Sequence, residues 1–352
     1  MQVDVLIIGQ GISGTMLSWF LHKAGKSFLV IDDNNMNSPS NVAAGIINPV
    51  TGRRFVYTWM IDTLVPFALS AYKEMGELLG NGFIKQKDIL DFFPSSQMLD
   101  AFATRVTEND TYLHSYPDQN DFNAFFNYDF GCGRIGPCYT VDTANLLLIW
   151  RTYLKGKNLL LEETFDVAGF EIKEETVEYG SITAERIVFC DGLESMKYEW
   201  FNLLPFSPNK GEVLIIESPD LPPDYIYKKG LMLAPLFRPG IYWVGSSYQW
   251  EFEHPGTTPQ FLTNTKAALD TWLKLPYKIV DHKAAVRPAT LERRPFVGFH
   301  PLHKKLGILN GMGTKGTSLA PYFANQLTQN IVSGASIMPQ ADVKRFSRIL
   351  AK

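Results

Sequence analysis

The residues with the clearest chemical purpose lie within the first thirty-three positions. Gly9, Gly11 and Gly14 stand in the run Gly-Gln-Gly-Ile-Ser-Gly, directly after the apolar stretch Val3 to Ile8 and directly before a helical pattern carrying Leu17, Phe20, Leu21 and Ala24. In such a strand–loop–helix unit the first glycine permits a tight turn, the second lets a phosphate approach the backbone, and the third lets the helix pack on the strand. The backbone around Ile12 and Ser13 and the positive end of the helix then face an anion. Phe28 to Ile31 makes a second strand that runs into Asp32 and Asp33, and the 17 residues from 15 to 31 separate Gly14 from Asp32. At that spacing a carboxylate meets ribose hydroxyls, and an acid there favours a free 2′-OH, as in NAD or FAD, over NADP.

A second run of the same form, Gly311, Gly313 and Gly316, follows the apolar stretch Leu306 to Asn310. Here the position equivalent to Asp32 is Gly334, so no carboxylate awaits a ribose, and a second nucleotide site is rejected. What remains is a strand, a turn and a helix. His300 and His303 have no cysteine or carboxylate at ligand spacing, so no metal is expected.

The elements that must hold these residues follow from hydrophobic period. Ile61, Leu64, Val65, Ala68 and Tyr72 predict a helix over about 58–79, a polar helix-plus-loop stretch is expected over 95–121, and a further helix over 142–154. The alternation over 171–179 reads as a strand, Ile187 to Cys190 as a buried strand ending at Asp191-Gly192, and strands dominate 211–245. A helix near 259–273, a strand over 277–286 and a helix over 317–333 complete the pattern.

Composition narrows the function. The chain has 352 residues, 45% hydrophobic and 20% charged, which is globular and large enough for two or three domains. The net charge of −3 offers no global field for nucleic acid or an anionic membrane. Three cysteines are too few for a disulfide framework, and the N-terminal apolar run is too short for a signal peptide or a membrane span; a cytoplasmic location is expected. Aromatic residues reach 13%, concentrated in 55–72, 112–139 and 201–250.

With the glycine loop and Asp32 in hand, the run Ser40 to Pro49 resembles the second flavin-contacting loop of the D-amino acid oxidase and glycine oxidase family of FAD-dependent oxidoreductases. Four more segments resemble that family in the same order: Phe165-Asp166-Val167, Ile187 to Gly192, Val286 to Thr290 and Gly311 to Gly316. The resemblance implies an α/β (mixed α+β) fold with a Rossmann-like FAD-binding domain and an interleaved, mainly antiparallel β-sheet substrate domain. The implied boundaries are 1–58, 140–204 and 287–352 for the FAD domain, and 59–139 and 205–286 for the substrate domain.

The resemblance also implies roles. Ala43, Ala44, Gly45 and Ile46 would let backbone reach the flavin ring, Val167 would contact adenine, and Cys190, Asp191 and Gly192 would form a turn beside the glycine loop. Asp191 departs from the family, which commonly has a small residue there. Gly311, Gly313, Thr314, Lys315, Gly316 and Thr317 would aim a helix N-terminus at the flavin pyrimidine, where positive charge favours the reduced anion. Arg287, in the family's Arg-Pro position, would anchor a substrate carboxylate with its planar fork. Tyr242 and Tyr248 are candidates for the pocket wall or are core and rim tyrosines, and Arg53 and Arg54 either add positive charge or sit in a solvated turn.

The implied activity is oxidation of the C–N bond of an amino acid or secondary amine by hydride transfer to flavin N5, giving an imine that hydrolyses. Electrons pass on to dioxygen or another acceptor. Two alternatives stay open: a flavin enzyme acting on an aminomethyl-modified tRNA base, for which Arg293, Arg294, Lys304 and Lys305 supply local charge, and a non-catalytic FAD-binding protein.

Overall fold

The computed structural model describes residues 1–52, 54–108 and 110–351. Its helices, in chain order, are α1 (Ile12–Lys23), α2 (Pro39–Val42), α3 (Ile61–Leu79), α4 (Ser96–Thr107), α5 (Thr143–Gly156), α6 (Pro259–Trp272), α7 (Gly316–Ser333) and α8 (Ser347–Leu350).

In the strands Gln2–Ile8 and Phe28–Ile31 the runs Val5 to Ile8 and Phe28 to Ile31 are apolar on both faces because both faces are covered. They pair in parallel, Leu6 beside Leu29, and Gln2–Ile8 pairs in parallel with Ile182–Phe189 on its other side. Leu306–Asn310 continues the parallel arrangement next to Ile182–Phe189, and Phe296–Phe299 closes on it antiparallel. Alternate residues of one strand therefore feed two cores. Val5 and Ile7 pack with α1, α3, α5 and α7, while Leu6 and Ile8 pack with Phe170, Phe189, Trp200, Phe201 and Phe346. Each buried Leu, Ile or Val contributes about 1.5–3 kcal/mol through its removal from water.

A second sheet runs in the order Lys278–Arg287, Asn209–Glu217, Ile241–Gly245, Leu231–Pro235, Ile226–Lys229, Ile89–Phe92, Cys132–Ile135 and Leu113–Ser115. Among the described residues all its pairings but one are antiparallel, the exception being Ile226–Lys229 with Ile89–Phe92. Between the two large sheets, Ile46–Ile47 and Ile84–Gln86 flank Tyr139–Val141. The flavin-loop candidates thus sit where the two sheets adjoin.

Three features differ from the sequence expectations. The stretch 171–179 is a hairpin, Phe170–Ile172 against Val177–Tyr179, because the charged run Lys173-Glu174-Glu175 stays in solvent and turns the chain. Phe296–Phe299, between Pro295 and His300, is an additional strand. Helix α3, placed by sequence on the substrate side, buries Leu64, Ala68, Tyr72 and Met75 in the same core as α1 and α7, and the Tyr72 hydroxyl donates to the Thr317 carbonyl at 2.8 Å. Its apolar stripe is long, and the helices over the parallel sheet offer the face that covers it. Among the described residues no helix is long and apolar enough to cross a membrane.

Candidate active site

Gly9 adopts a φ of +94°, and a Cβ there would stand 2.8 Å from the Asp191 Cα and the Cys190 oxygen. A Cβ on Gly14 would lie 1.9 Å from the Gly9 carbonyl oxygen, so α1 can sit this close to the strand only without a side chain. At Gly11 a Cβ would meet only the Ser40 Oγ, at 3.3 Å, and that position borders the cleft. The Ile12 N–H donates to the same Ser40 oxygen at 3.1 Å; Ile12 and Ser13 are themselves buried. Gly9 and Gly14 thus meet the turn and packing demands of such a loop, and Gly11 leaves its backbone facing the cleft.

Asp32 follows the strand Phe28–Ile31, and its Oδ2 accepts from the Gln10 N–H at 2.7 Å. Its Oδ1 accepts from Arg151 Nη1 at 2.6 Å and from the Asn34 N–H at 2.9 Å. Arg151, almost fully buried on α5, also donates to Gln10 Oε1 and to Glu162, so the carboxylate is held from behind. Asp33 points to solvent. A cavity of about 830 Å³ opens beside Asp32, with Gln10, Gly11, Ala43, Ala44 and Trp243 among the residues that line it. That volume lies within the range of small-molecule and cofactor pockets.

The small-residue loop enters from α2. Ala43 is exposed and Ala44 buried, and Gly45 has a φ of +68° with its Cβ position 1.9 Å from the Val141 carbonyl oxygen. Ile46 then pairs with Thr140. The buried Trp243 Nε1 donates to the Val42 carbonyl at 2.9 Å and ties the loop to the second sheet.

The second glycine turn lies against both loops. Gly313 N–H donates to the Pro288 carbonyl at 3.2 Å, and a Cβ on Gly316 would be 3.0 Å from Ile12 Cγ2, which brings the N-terminal ends of α1 and α7 together. Gly311 is left-handed, with a φ of +78°. Thr314 is exposed and Thr317 buried. The Lys315 Nζ donates to Thr58 Oγ1 at 3.1 Å, and burial, with Arg294 and Arg293 nearby, pushes its pKa down to about 8. Arg294 itself lies over the Trp59 ring, 4.1 Å from its centroid.

Arg287 ends the strand Lys278–Arg287. Its Nη1 donates to Asn209 Oδ1 at 2.6 Å and, more weakly, to the Ser247 carbonyl at 3.4 Å; Nη2 donates to Ser246 Oγ at 2.8 Å. Its Cζ lies 5.6 Å from the centroid of the Tyr248 ring. Among the described residues no carboxylate forms an ion pair with this guanidinium, and burial pulls its pKa below the usual arginine value. A desolvated cation with neutral acceptors is a ready partner for an anion.

The remaining candidates scatter. Tyr242 is a correction: its ring is fully buried and its hydroxyl donates to the Leu221 carbonyl, on the sheet face opposite Trp243, so it faces the core and not the cleft. The whole stretch 241–245 is apolar or glycine, so its alternation carries no mark of which face is which. Tyr248 is half exposed beside Arg287. Val167 lies on an exposed turn, 42% accessible, which the Asp166 carboxylate caps. Cys190 is buried, which raises its thiol pKa far above the ordinary value and leaves it inert. Asp191 is partly exposed as a residue, yet its Oδ2 is buried with no hydrogen-bond partner among the described residues, and burial raises its pKa to about 6. Gly192 is left-handed, and its carbonyl accepts from Asn310 at 2.7 Å. Arg54 is exposed, and Arg53 lies outside the described residues. His300 Nδ1 accepts from the N–H groups of Leu302 and His303, a turn-holding role, and burial lowers its pKa to about 4.

Sequence reasoning passed over Arg151, Trp243, Asn209 and Ser246. Only Arg151 left a signal, a cation on the buried stripe of α5 beside Leu147, Trp150 and Leu154.

The model of the FAD dependent oxidoreductase family, DAO, matches residues 4–330. Glycine oxidase of Pseudomonas putida is 24% identical over 362 residues, covering 95% of this chain and 96% of that protein. Among solved structures, iminodiacetate oxidase from Chelativorans sp. BNC1 superposes with a TM-score of 0.78 at 17% identity, covering 98% of both chains. Glycine oxidase from Bacillus cereus gives 0.77 at 18% identity, covering 95% of this chain and 96% of that one.

Proposed function

Because the chain belongs to the DAO family of FAD-dependent oxidoreductases, we propose that it oxidises the C–N bond of an amino acid or secondary amine whose other end is a carboxylate held by Arg287. The observation that carries the carboxylate is the guanidinium itself, partly buried and hydrogen-bonded to neutral acceptors alone among the described residues. The names of the relatives lend support, since glycine and iminodiacetate are both amines bearing carboxylates.

The cradle suits FAD at the points where fit can be tested. Gly9 and Gly14 leave no space for a Cβ, Gly11 borders the cleft, and Asp32 stands at the ribose position with its orientation locked by Arg151. The N–H groups around Ser13 and Gly14 would hold the pyrophosphate, and Ala43 to Ile46 with Gly311 to Thr317 would flank the ring. FAD, when bound, supplies the two-electron oxidant for the carbon that bears the nitrogen.

The chain's own groups do the positioning. Arg287 binds the carboxylate, and that contact fixes the amine-bearing carbon relative to the two glycine loops. Lys315 and the N-terminus of α7 would place positive potential beside the cofactor ring, which would favour its taking up electrons. Trp243 holds the loop that carries Ala43 against the second sheet. The imine leaves and hydrolyses in solvent. By this reading residues 1–58, 140–204 and 287–352 form the cofactor unit, with α3 added to it. The free, buried Cys132, Cys138 and Cys190 support a reducing, cytoplasmic home.

The test is reconstitution with FAD followed by anaerobic mixing with D-amino acids, glycine and N-methyl amines, then addition of dioxygen or an artificial acceptor. Bleaching of the flavin by a carboxylate-bearing amine is the expected result. A protein that takes up no FAD, or a flavin that only carboxylate-free amines reduce, would overturn the proposal.

A further inference from the structure

We infer that Asn209 and Ser246 are positioning residues that orient Arg287 while leaving its charge uncompensated, and that this neutrality makes the site selective for an anionic group. The inference rests on the reading of Arg287 as the carboxylate anchor.

The contrast with most of the other sequestered cations among the described residues carries it; Lys315, which donates to the Thr58 hydroxyl, shares the exception. Arg151 has Asp32 and Glu162, Lys210 has Glu212, Lys228 has Asp91, Arg345 has Glu292 and Arg105 has Asp110. A cation withdrawn from water ordinarily takes an acid with it, because an unpaired buried charge is costly. Arg287 does not. Its register partner across the antiparallel strands is Asn209, which is fully buried and accepts Nη1 at 2.6 Å. An arginine only donates, so the amide oxygen must face it, and the Asn209 Nδ2 is left buried without a partner among the described residues. A carboxylate at 209 would be nearly the same shape and would pair with the guanidinium; the amide satisfies the same nitrogen and leaves the charge uncompensated. One residue further on, Lys210 and the carboxylate of Glu212 pair on the opposite face of the same strand.

Space is reserved as well. A Cβ on Gly211 would stand 1.9 Å from Nη2, so the guanidinium lies flat across a glycine in the strand. Ser246, exposed at the rim, takes the second nitrogen at 2.8 Å with a hydroxyl. Asn209 and Ser246 hold the fork in place, and its charge is left for the ligand.

The test uses FAD-loaded protein titrated with acetate and with acetamide, read from the perturbation of the flavin absorption, together with KM and kcat on whichever carboxylate-bearing amine is turned over. Asn209→Asp is expected to weaken acetate binding at least tenfold and leave acetamide unchanged, raising KM with kcat held within about threefold. Ser246→Asp, at the rim, is expected to do the same and decides the matter if Asn209→Asp fails to retain flavin. A structural defect would move both probes. If the native protein shows no acetate response, or Arg287→Ala leaves it unaltered, the anchor reading falls and this inference with it. If Arg287→Ala abolishes acetate binding while both aspartate variants bind it like the native protein, the inference about Asn209 and Ser246 fails alone.

Discussion

Arg151 and Asp32 lie 119 positions apart in sequence and meet at 2.6 Å, the arginine arriving from the buried face of α5 behind the carboxylate at the end of the second strand. The pairing sets the direction in which Asp32 presents its remaining lone pairs to the cleft. It also ties the helix after the inserted segment to the first βαβ unit.

Removing that arginine should therefore harm both fold and cofactor. Arg151→Met leaves Asp32 without its charged partner; a fully buried pair broken this way costs about 3–5 kcal/mol, and with Asp32 bordering the cleft a smaller loss is expected. Urea unfolding of the apoprotein measures the first effect, and equilibrium dialysis against FAD the second, with at least a tenfold loss of affinity expected. Unchanged FAD affinity would show that Asp32 needs no orienting partner.

Gly45→Ala should be among the most damaging single-methyl changes in the chain. The added carbon would lie 1.9 Å from the Val141 carbonyl oxygen, and the φ of +68° is strained for alanine in any case. Loss of FAD retention together with a fall in thermal midpoint is expected; Gly25→Ala, equally left-handed but with open space around it, should cost only about 1 kcal/mol.

The pKa of Lys315 lies at about 8 in place of 10.5, so its charge is present below pH 8 and fades above it. If that charge supports the reduced cofactor, turnover should fall through an alkaline limb near pH 8. Lys315→Arg should shift the limb upward or erase it, and Lys315→Met should give low, flat turnover. A limb unchanged in Lys315→Met would assign it elsewhere.

Asp191 has the opposite sign. Its folded pKa of about 6 lies above the ordinary 3.8, so the native state holds the proton more tightly than the unfolded chain does. Its contribution is fully present below pH 4 and is lost as pH rises through 6, at most about 3 kcal/mol from a shift of some two units. Asp191→Asn, which keeps an acceptor for Ser195, should stabilise the protein at pH 8 and leave it little changed at pH 4, as read from denaturation midpoints at the two pH values. It should also tighten FAD, because the ionised form places negative charge beside the glycine turn.

What could be read from the sequence was local. Gly9, Gly11, Gly14 and Asp32 occupy one short stretch in which peptide geometry converts spacing into position, and each lies where the spacing implies. The partners that give those residues their setting come from far away: Cys190 and Asp191 against Gly9, Arg151 against Asp32, Val141 against Gly45. Nothing in a periodicity reports such meetings. The face of a strand is equally hidden when every residue in it is apolar, which is why Trp243 and not Tyr242 turned out to front the cleft. Asn209 was invisible for a different reason, since an asparagine becomes informative only beside the arginine it leaves charged.

The walls around the glycine turn set an order of events during synthesis. Gly9 is boxed in by Cys190 and Asp191, and Ile12 by Gly316. A ribosome-bound chain that has exposed only its first hundred residues carries the whole fingerprint but none of its enclosure, and would bind a dinucleotide no better than any other loop. A truncation that removes α7 is therefore expected to leave a colourless protein however intact its N-terminus.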